Sequence, residues 1–497
     1  MRVKSGYIVG IALLFLLPAM VFAGGRQDSA GASGSLSAGQ EERGPVALDG
    51  LSSADVRALA MMEKNIGGSG DSVVTLTEEK AVEYALENNL QIRSAAIEMG
   101  MKKRAEEYAW NRFVPTVQAS GTLGRMNAEQ STIDFITFNE IGLPQWSVSG
   151  ALDFSLTLNL ALYNGVKATQ IDYQAGRISY EQARKRIVRD VRKSFFNLLL
   201  MQENRALMVE NIDAAERRYE QALINYENGM VPELTVLSAQ VAWENLKPQL
   251  KAMDLGYRQA VQGFKMTLGM ELDREIELEG SIDAEAVDVD ADELIDRYLA
   301  DRLDIQSMLV SINSLENQLK ATKLQVYTPQ LILGYSLDPT FGGDPWSDPW
   351  FGGDFEWNQR SGMFRATIAL SLDGFLPFSQ TQVGIRDLKD SIELSRIGLM
   401  QTIRGAEMEV DATVEQLKKS RDTLEALELN VDLARRAYEM AEEAYNAGSR
   451  ELLEVENAEI ELKTAQVEVL KEKYNYLSAL IDLEYQLNND MDTMITE

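Results

Sequence analysis

Apolar residues recur along this chain in two alternating regimes. Over long stretches they fall at three- and four-residue steps, the period of an amphipathic helix; between those stretches they alternate every second residue, the period of a strand with one apolar face. The longest helical patterns run over 167–228 and 383–446 with no internal proline, each roughly 95 Å at 1.5 Å per residue. Return helices are predicted over 232–268 and 451–487, each roughly 55 Å. Shorter helical patterns, 79–112 and 293–325, precede the strands. One short helix and one return helix together match a long helix in length, which predicts two short helices stacked end to end beside each long one.

Near the turns the stepping tightens to a heptad. Leu424, Leu427, Val431, Ala434, Tyr438, Ala441 and Tyr445 form one seam, and Met208, Ile212, Ala215, Tyr219, Ala222 and Tyr226 repeat it. Large residues alternating with alanine let helices approach closely and mesh, as in a coiled coil. The agreement between copies is residue for residue: Tyr219, Ala222, Tyr226, Gly229, Leu234, Val236 and Ala239 recur 219 positions later as Tyr438, Ala441, Tyr445, Gly448, Leu453, Val455 and Ala458. Leu90 with Leu303, Ile92 with Ile305, and Pro115 with Pro329 extend the match. A fixed internal period implies a duplicated unit, here 71–270 and 271–488 with a tail over 489–497. Gly229 and Gly448 are the predicted hairpin apices, and Pro232 suits the first turn of its return helix.

Four strands are predicted, over 114–124, 147–162, 329–338 and 363–373. The second is the cleanest: Val148, Gly150, Leu152, Phe154, Leu156, Leu158, Leu160 and Leu162 alternate with Ser149, Ala151, Asp153, Ser155, Thr157, Asn159 and Ala161. Their lengths suit strands that cross a bilayer in a barrel. Leu152, Phe154, Leu156, Leu158, Leu333 and Leu370 are the candidate lipid-facing residues. Aromatic residues cluster at both strand ends: Trp110, Phe113, Tyr163, Tyr327, Phe375 and Phe378 towards the helices, and Phe135, Phe138, Trp146, Phe341, Trp357 and Phe364 at the far rim. Two such girdles mark two lipid interfaces. A soluble sandwich capping a coiled coil is the alternative. Four strands leave two open edges, which lipid cannot satisfy, so a membrane barrel has to be shared between chains; strand counting alone allows two, three or four of them.

Composition narrows the chemistry. A net charge of −29 disfavours nucleic acid as a partner. The chain has no cysteine and no histidine, which removes disulfides, thiolate nucleophiles, imidazole bases and nearly every zinc or haem site. No cofactor is called for. No phosphate-binding glycine loop ending in Lys-Ser or Lys-Thr occurs, and no carboxylate pair has a recognisable catalytic motif. Arg2 and Lys4, an apolar run over 7–22, and Val21 and Ala23 before Gly24 read as a signal peptide, 1–23. Residues 24–70, rich in Gly, Ser and Ala, read as a flexible lead-in. The loop over 338–360 carries Asp344, Pro345, Trp346, Asp348, Pro349, Trp350 and Asp354; turn chemistry explains it better than calcium binding.

The order helix, strand, strand, long helix, glycine turn, return helix, written twice, resembles the TolC-like outer membrane efflux ducts over about residues 75–488. Its most specific words are the two apex motifs, one running from Tyr226 through Gly229, Pro232 and Leu234 to Ala239, the other from Tyr445 through Gly448, Arg450 and Glu454 to Ala458. The resemblance implies a mixed α/β membrane protein. Each chain would give four strands to a trimeric transmembrane β-barrel and four staves to a long antiparallel coiled-coil α-helical barrel in the periplasm. It further implies a homotrimer embedded in outer membrane lipid, partnered by a periplasmic adaptor and an inner-membrane transporter, that exports drugs, small molecules or polypeptides and performs no chemistry. By position, Tyr445 and Arg450 match the residues that link the family's closed entrance, and Glu454 matches a carboxylate ring. Thr235 and Asn457 stand where the family pattern has aspartates. A secreted coiled-coil scaffold or adaptor without a pore is the competing reading.

Overall fold

The computed structural model describes residues 73–127, 130–133, 140–143, 145–283, 287–338, 340–342, 362–447 and 449–489. The expected signal peptide, the whole of the lead-in, residues 490–497 of the tail, Gly448 and most of the 338–360 loop lie outside these residues. Eight α-helices are seen among the described residues: α1 (Glu78–Asn88), α2 (Leu90–Glu107), α3 (Ala161–Glu227), α4 (Glu233–Leu268), α5 (Ala291–Tyr298), α6 (Leu303–Tyr327), α7 (Gln380–Asn446) and α8 (Leu452–Leu487). The two long helices have 67 residues each, and the two return helices 36 each.

The predicted helix over 79–112 is in fact two helices and a turn. Asn89 is extended, with ψ 127°, and its side-chain oxygen accepts the backbone N–H groups of Gln91 and Ile92. It thereby caps α2 and forces a break after α1. Beyond α2 a 3-10 turn, Ala109–Phe113, leads to the first long strand. The counterpart over 293–325 is likewise split, into α5 and α6, with Arg302 before α6. The stack survives this correction. α3 lies beside α2 and α4, and α6 and α8 both pack against α3 and α7. The Asn89 side-chain amide donates to the Thr267 carbonyl at 2.6 Å, joining the start of α2 to the end of α4. In the second half, Asn488 at the end of α8 donates to the Asp301 carbonyl at 3.4 Å, beside the start of α6. Both return helices end on a left-handed residue, Gly269 (φ 73°) and Asn488 (φ 55°), the conformation that closes a helix and turns the chain.

Nine strands complete the described fold: β1 (Val74–Leu76), β2 (Thr116–Arg125), β3 (Gln130–Ile133), β4 (Glu140–Leu143), β5 (Trp146–Leu158), β6 (Ile276–Leu278), β7 (Gln330–Leu337), β8 (Thr340–Gly342) and β9 (Gly362–Ala369). The main sheet runs β2-β5-β7-β9, antiparallel throughout, with β8 continuing along β5. β3 and β4 pair beyond the far ends of β2 and β5. The second predicted strand runs too long: β5 stops at Leu158, Leu160 precedes α3, and Leu162 lies within that helix. Here the apolar alternation passes without interruption into a helical apolar face. The fourth is also shorter, because Leu370 follows the end of β9 and Leu372 opens a 3-10 turn.

The sequence pattern gave no sign of the parallel pair β1 and β6, which ties the chain ahead of α1 to the segment after α4. Leu76 on β1 enters the main core beside Ala81, Ala85, Val191, Phe195, Leu198, Leu199, Phe264 and Leu268. A second core joins α5, α7 and α8 through Leu294, Val410, Val414, Leu417, Tyr476 and Leu483. Burial of a leucine, valine or phenylalanine is worth about 1.5–3 kcal/mol, so these two cores fasten the middle of the helical stack.

Candidate functional site

Register makes one face of the sheet continuously apolar. Leu158 pairs with Leu331 and Leu331 with Ile368; Leu156 pairs with Leu333 and Leu333 with Ala366; Phe154 pairs with Tyr335 and Tyr335 with Phe364. On the other side Phe154 pairs with Val117, and Leu152 with Ala119. Strand neighbours in register share a face, so Leu152, Phe154, Leu156, Leu158 and Leu333 fall on one surface. The opposite face carries Thr116, Gln118, Ser120, Ser149, Ser155 and Thr157. At 13 residues, β5 is roughly 43 Å long, enough when tilted about 40° to cross an apolar band about 25 Å tall.

Among the described residues the sheet does not close on itself. Its outer strands are β2 and β9, and their residues are exposed on both faces except for Gly124 and Ala369, which are half-buried. Aromatic side chains ring the helix-proximal end: Trp110, Phe113, Tyr163, Tyr327, Phe375 and Phe378 are all exposed there, Phe378 at 81%. At the far end the Arg125 guanidinium lies over the Trp146 ring, 5.2 Å from its centre. Phe135, Phe138 and Trp357 lie outside the described residues, as does the side chain of Phe341.

At the other end of the molecule the hairpin tips meet. α3 ends at Asn228, and Gly229 takes φ 76° while Met230 N–H donates to the Asn225 carbonyl at 2.8 Å. The second apex repeats that bond between Ser449 and Ala444 at 2.9 Å. Ala222 on α3, Val236 and Ala239 on α4, and Leu452 on α8 form a small core with Tyr219 and Tyr445 packed against it. One apolar cluster therefore binds the first hairpin to the second. Thr235 is half-buried beside Val236 in the chain, whereas Arg450, Glu454 and Asn457 are exposed. Arg450 forms an ion pair with Glu454 one turn along. The structure thus places Tyr445 in the hairpin contact and leaves the three charged or polar candidates on the surface of α8 and its lead-in.

A second link was not read from the sequence. Arg218 on α3 forms an ion pair with Glu459 on α8, and Lys463 holds the other oxygen of Glu459 at 2.7 Å. Glu459 is 6% exposed. Seven residues separate it from the start of α8, roughly 10 Å of helix. Burial raises the Glu456 carboxyl above its usual range, since the attraction of Arg218 is opposed by Glu459. Burial likewise depresses the Lys463 ammonium and raises the Tyr438 phenol. A cavity of about 220 Å³ lies between the hairpins here, lined by Arg217, Arg218, Gln221, Tyr438, Glu442 and Tyr445. The available signal was slight: Arg218 stands directly before the heptad residue Tyr219 and three places after Ala215, where a charge has to find a partner across the seam.

The model of the outer membrane efflux protein family matches residues 81–270 and 294–489. The chain belongs to the outer membrane efflux protein family. Structures of CusC, described in relation to folding and transmembrane channel formation, superpose with a TM-score of 0.69 at 16% identity, covering 85% of this chain and 95% of that one. The CmeC outer membrane channel of Campylobacter jejuni gives 0.69 at 18% identity, with 84% and 88% covered. The open state of the MtrE outer membrane channel of Neisseria gonorrhoeae gives 0.66 at 16%, with 83% and 89% covered. No curated protein matches in sequence. Membership makes this efflux protein an export duct of the outer membrane with its helical tunnel in the periplasm; the family is one of channels rather than enzymes.

Proposed function

We propose that three copies of this efflux protein form one continuous duct, each supplying four strands to a twelve-stranded barrel and four staves to a helical tunnel. The observation that carries this is the main sheet: apolar on one face, polar on the other, and open at both edges. In lipid the edge N–H and C=O groups of β2 and β9 need partners, and β9 of one copy pairing with β2 of the next supplies them. Even strand counts of eight or more suit such barrels, and three copies are what the family resemblance adds. The two 67-residue helices and two 36-residue return helices fit a duplicated half, 71–270 and 271–488, with quasi-equivalent staves.

The hairpin tips are the periplasmic entrance in this reading. Tyr445 and Arg450 act at its closure beside Thr235, and Glu454, with Asn457 one turn further, faces the narrowing. A threefold ring of carboxylates in a narrow mouth favours cations. The chain contributes no phosphate-binding motif, so the driving energy comes from an inner-membrane transporter reached through a periplasmic adaptor, and the cargo is drugs, small molecules or polypeptides. Leu152→Arg, at the middle of β5, tests the membrane face: an arginine at mid-bilayer costs about 2–4 kcal/mol. Loss of the variant from the outer membrane fraction, with Thr157→Arg on the polar face retained there, is the expected result. Equal recovery of both would reject the assignment of faces.

A further inference from the structure

The polar face of the sheet is nearly free of charge. Among the described strand residues of the main sheet only Arg125, Asp153 and Arg365 are charged. Arg125 pairs with Trp146 and belongs to the apolar face at the far rim. Asp153 and Arg365 fall on the polar face: Asp153 pairs with Gln118 and Ser336, and Arg365 pairs with Gly334, which in turn pairs with Ser155. The two charges therefore sit one pleat apart along the strands, about 7 Å. Asp338 joins them, because the Ser336 hydroxyl on that same face donates to its Oδ2 at 3.0 Å. At Gly334, the residue between Arg365 and β5, a side chain would meet the Phe154 carbonyl at an ordinary contact distance of 3.9 Å.

We propose that Asp153, Asp338 and Arg365 form a charged band around the barrel lumen that sorts permeant ions, a second selectivity element separate from the periplasmic tips. This rests on the shared-barrel reading. Twelve strands about 4.8 Å apart and tilted about 40° enclose a backbone circle roughly 24 Å across. Inward side chains reduce its free radius to about 7 Å, less than the Debye length of about 8 Å at physiological salt. Wall charges then act across the whole lumen rather than along its surface. Each chain gives two carboxylates and one guanidinium, so the band favours cations, and Arg365 moderates that preference.

The test is the reversal potential of the trimer in planar bilayers across a potassium chloride gradient near 0.1 M. Arg365→Gln and Asp153→Asn are each recorded in the wild-type and in the Arg218→Ala background, the latter to relax the tips so that the barrel contributes more of the resistance. R365Q raises the potassium-to-chloride permeability ratio about twofold, D153N lowers it about as much, and both effects shrink near 1 M salt, where screening shortens to about 3 Å. Conducting trimers whose ratios stay unchanged in both backgrounds, or move in the same direction for both variants, overturn the band while leaving the barrel standing. Absence of a trimer in the detergent-extracted protein overturns the barrel, and the band with it.

Discussion

At the scale of single residues, the contact between the hairpin tips depends on a few side chains that no period betrays. Arg218 and Glu459 bridge the hairpins, yet removing Arg218 does not strand a bare carboxylate, because Lys463 remains on Glu459 at 2.7 Å. The cost of Arg218→Ala is therefore nearer about 1–3 kcal/mol than the larger loss that follows when a buried charge is left alone. Such a change is expected to loosen the tips without unfolding the helices: single-channel conductance rises while far-ultraviolet circular dichroism is unchanged. A conductance equal to wild type would remove Arg218 from the closure. Glu454 makes a different prediction. It is exposed and pairs with Arg450 in the lead-in just ahead of α8, so Glu454→Ala should leave stability within about 0.5 kcal/mol and lower cation preference in a bilayer recording. Unchanged selectivity would reject the carboxylate ring.

At the scale of elements, two glycines with the same left-handed backbone have different weights. A side chain at Gly229 (φ 76°) meets nothing within 4 Å, whereas one at Gly269 (φ 73°) collides with the backbone of Asn88 and Asn89. Gly229→Ala should cost about 1–2 kcal/mol, the left-handed strain alone. Gly269→Ala adds the collision and forces α2 away from α4, so its melting temperature should fall well below that of Gly229→Ala; similar values would contradict the end-to-end junction. These elements also show what a sequence reveals. The heptad seams, the apex at Gly229 and the alternation through Leu152, Phe154, Leu156 and Leu158 were legible because each is written as a period. The break at Asn89 was missed because a single capping side chain interrupts a helical pattern without changing its composition. β1 and β6 were missed because three-residue strands far apart in the chain carry no period. The Arg218, Glu459 and Lys463 cluster exists only once two hairpins are packed.

At the scale of the whole molecule, the proposed duct makes one chain an incomplete object. Its sheet presents an apolar face wide enough for lipid, and among the described residues both edge strands lack neighbours on their outer sides. The helical stack is a wall four staves wide, with Arg192 tying α3 to both Glu78 on α1 and Glu484 on α8. In the proposed duct, a wall and an open sheet become a tunnel and a barrel only when copies are joined, which makes assembly the central claim. The most direct measurement is the protein mass of the mature, detergent-extracted particle by light scattering corrected for bound detergent. A shared twelve-stranded barrel requires three chains per particle, stable on dilution. A single chain that stays in solution without detergent would contradict it and leave a coiled-coil scaffold in its place.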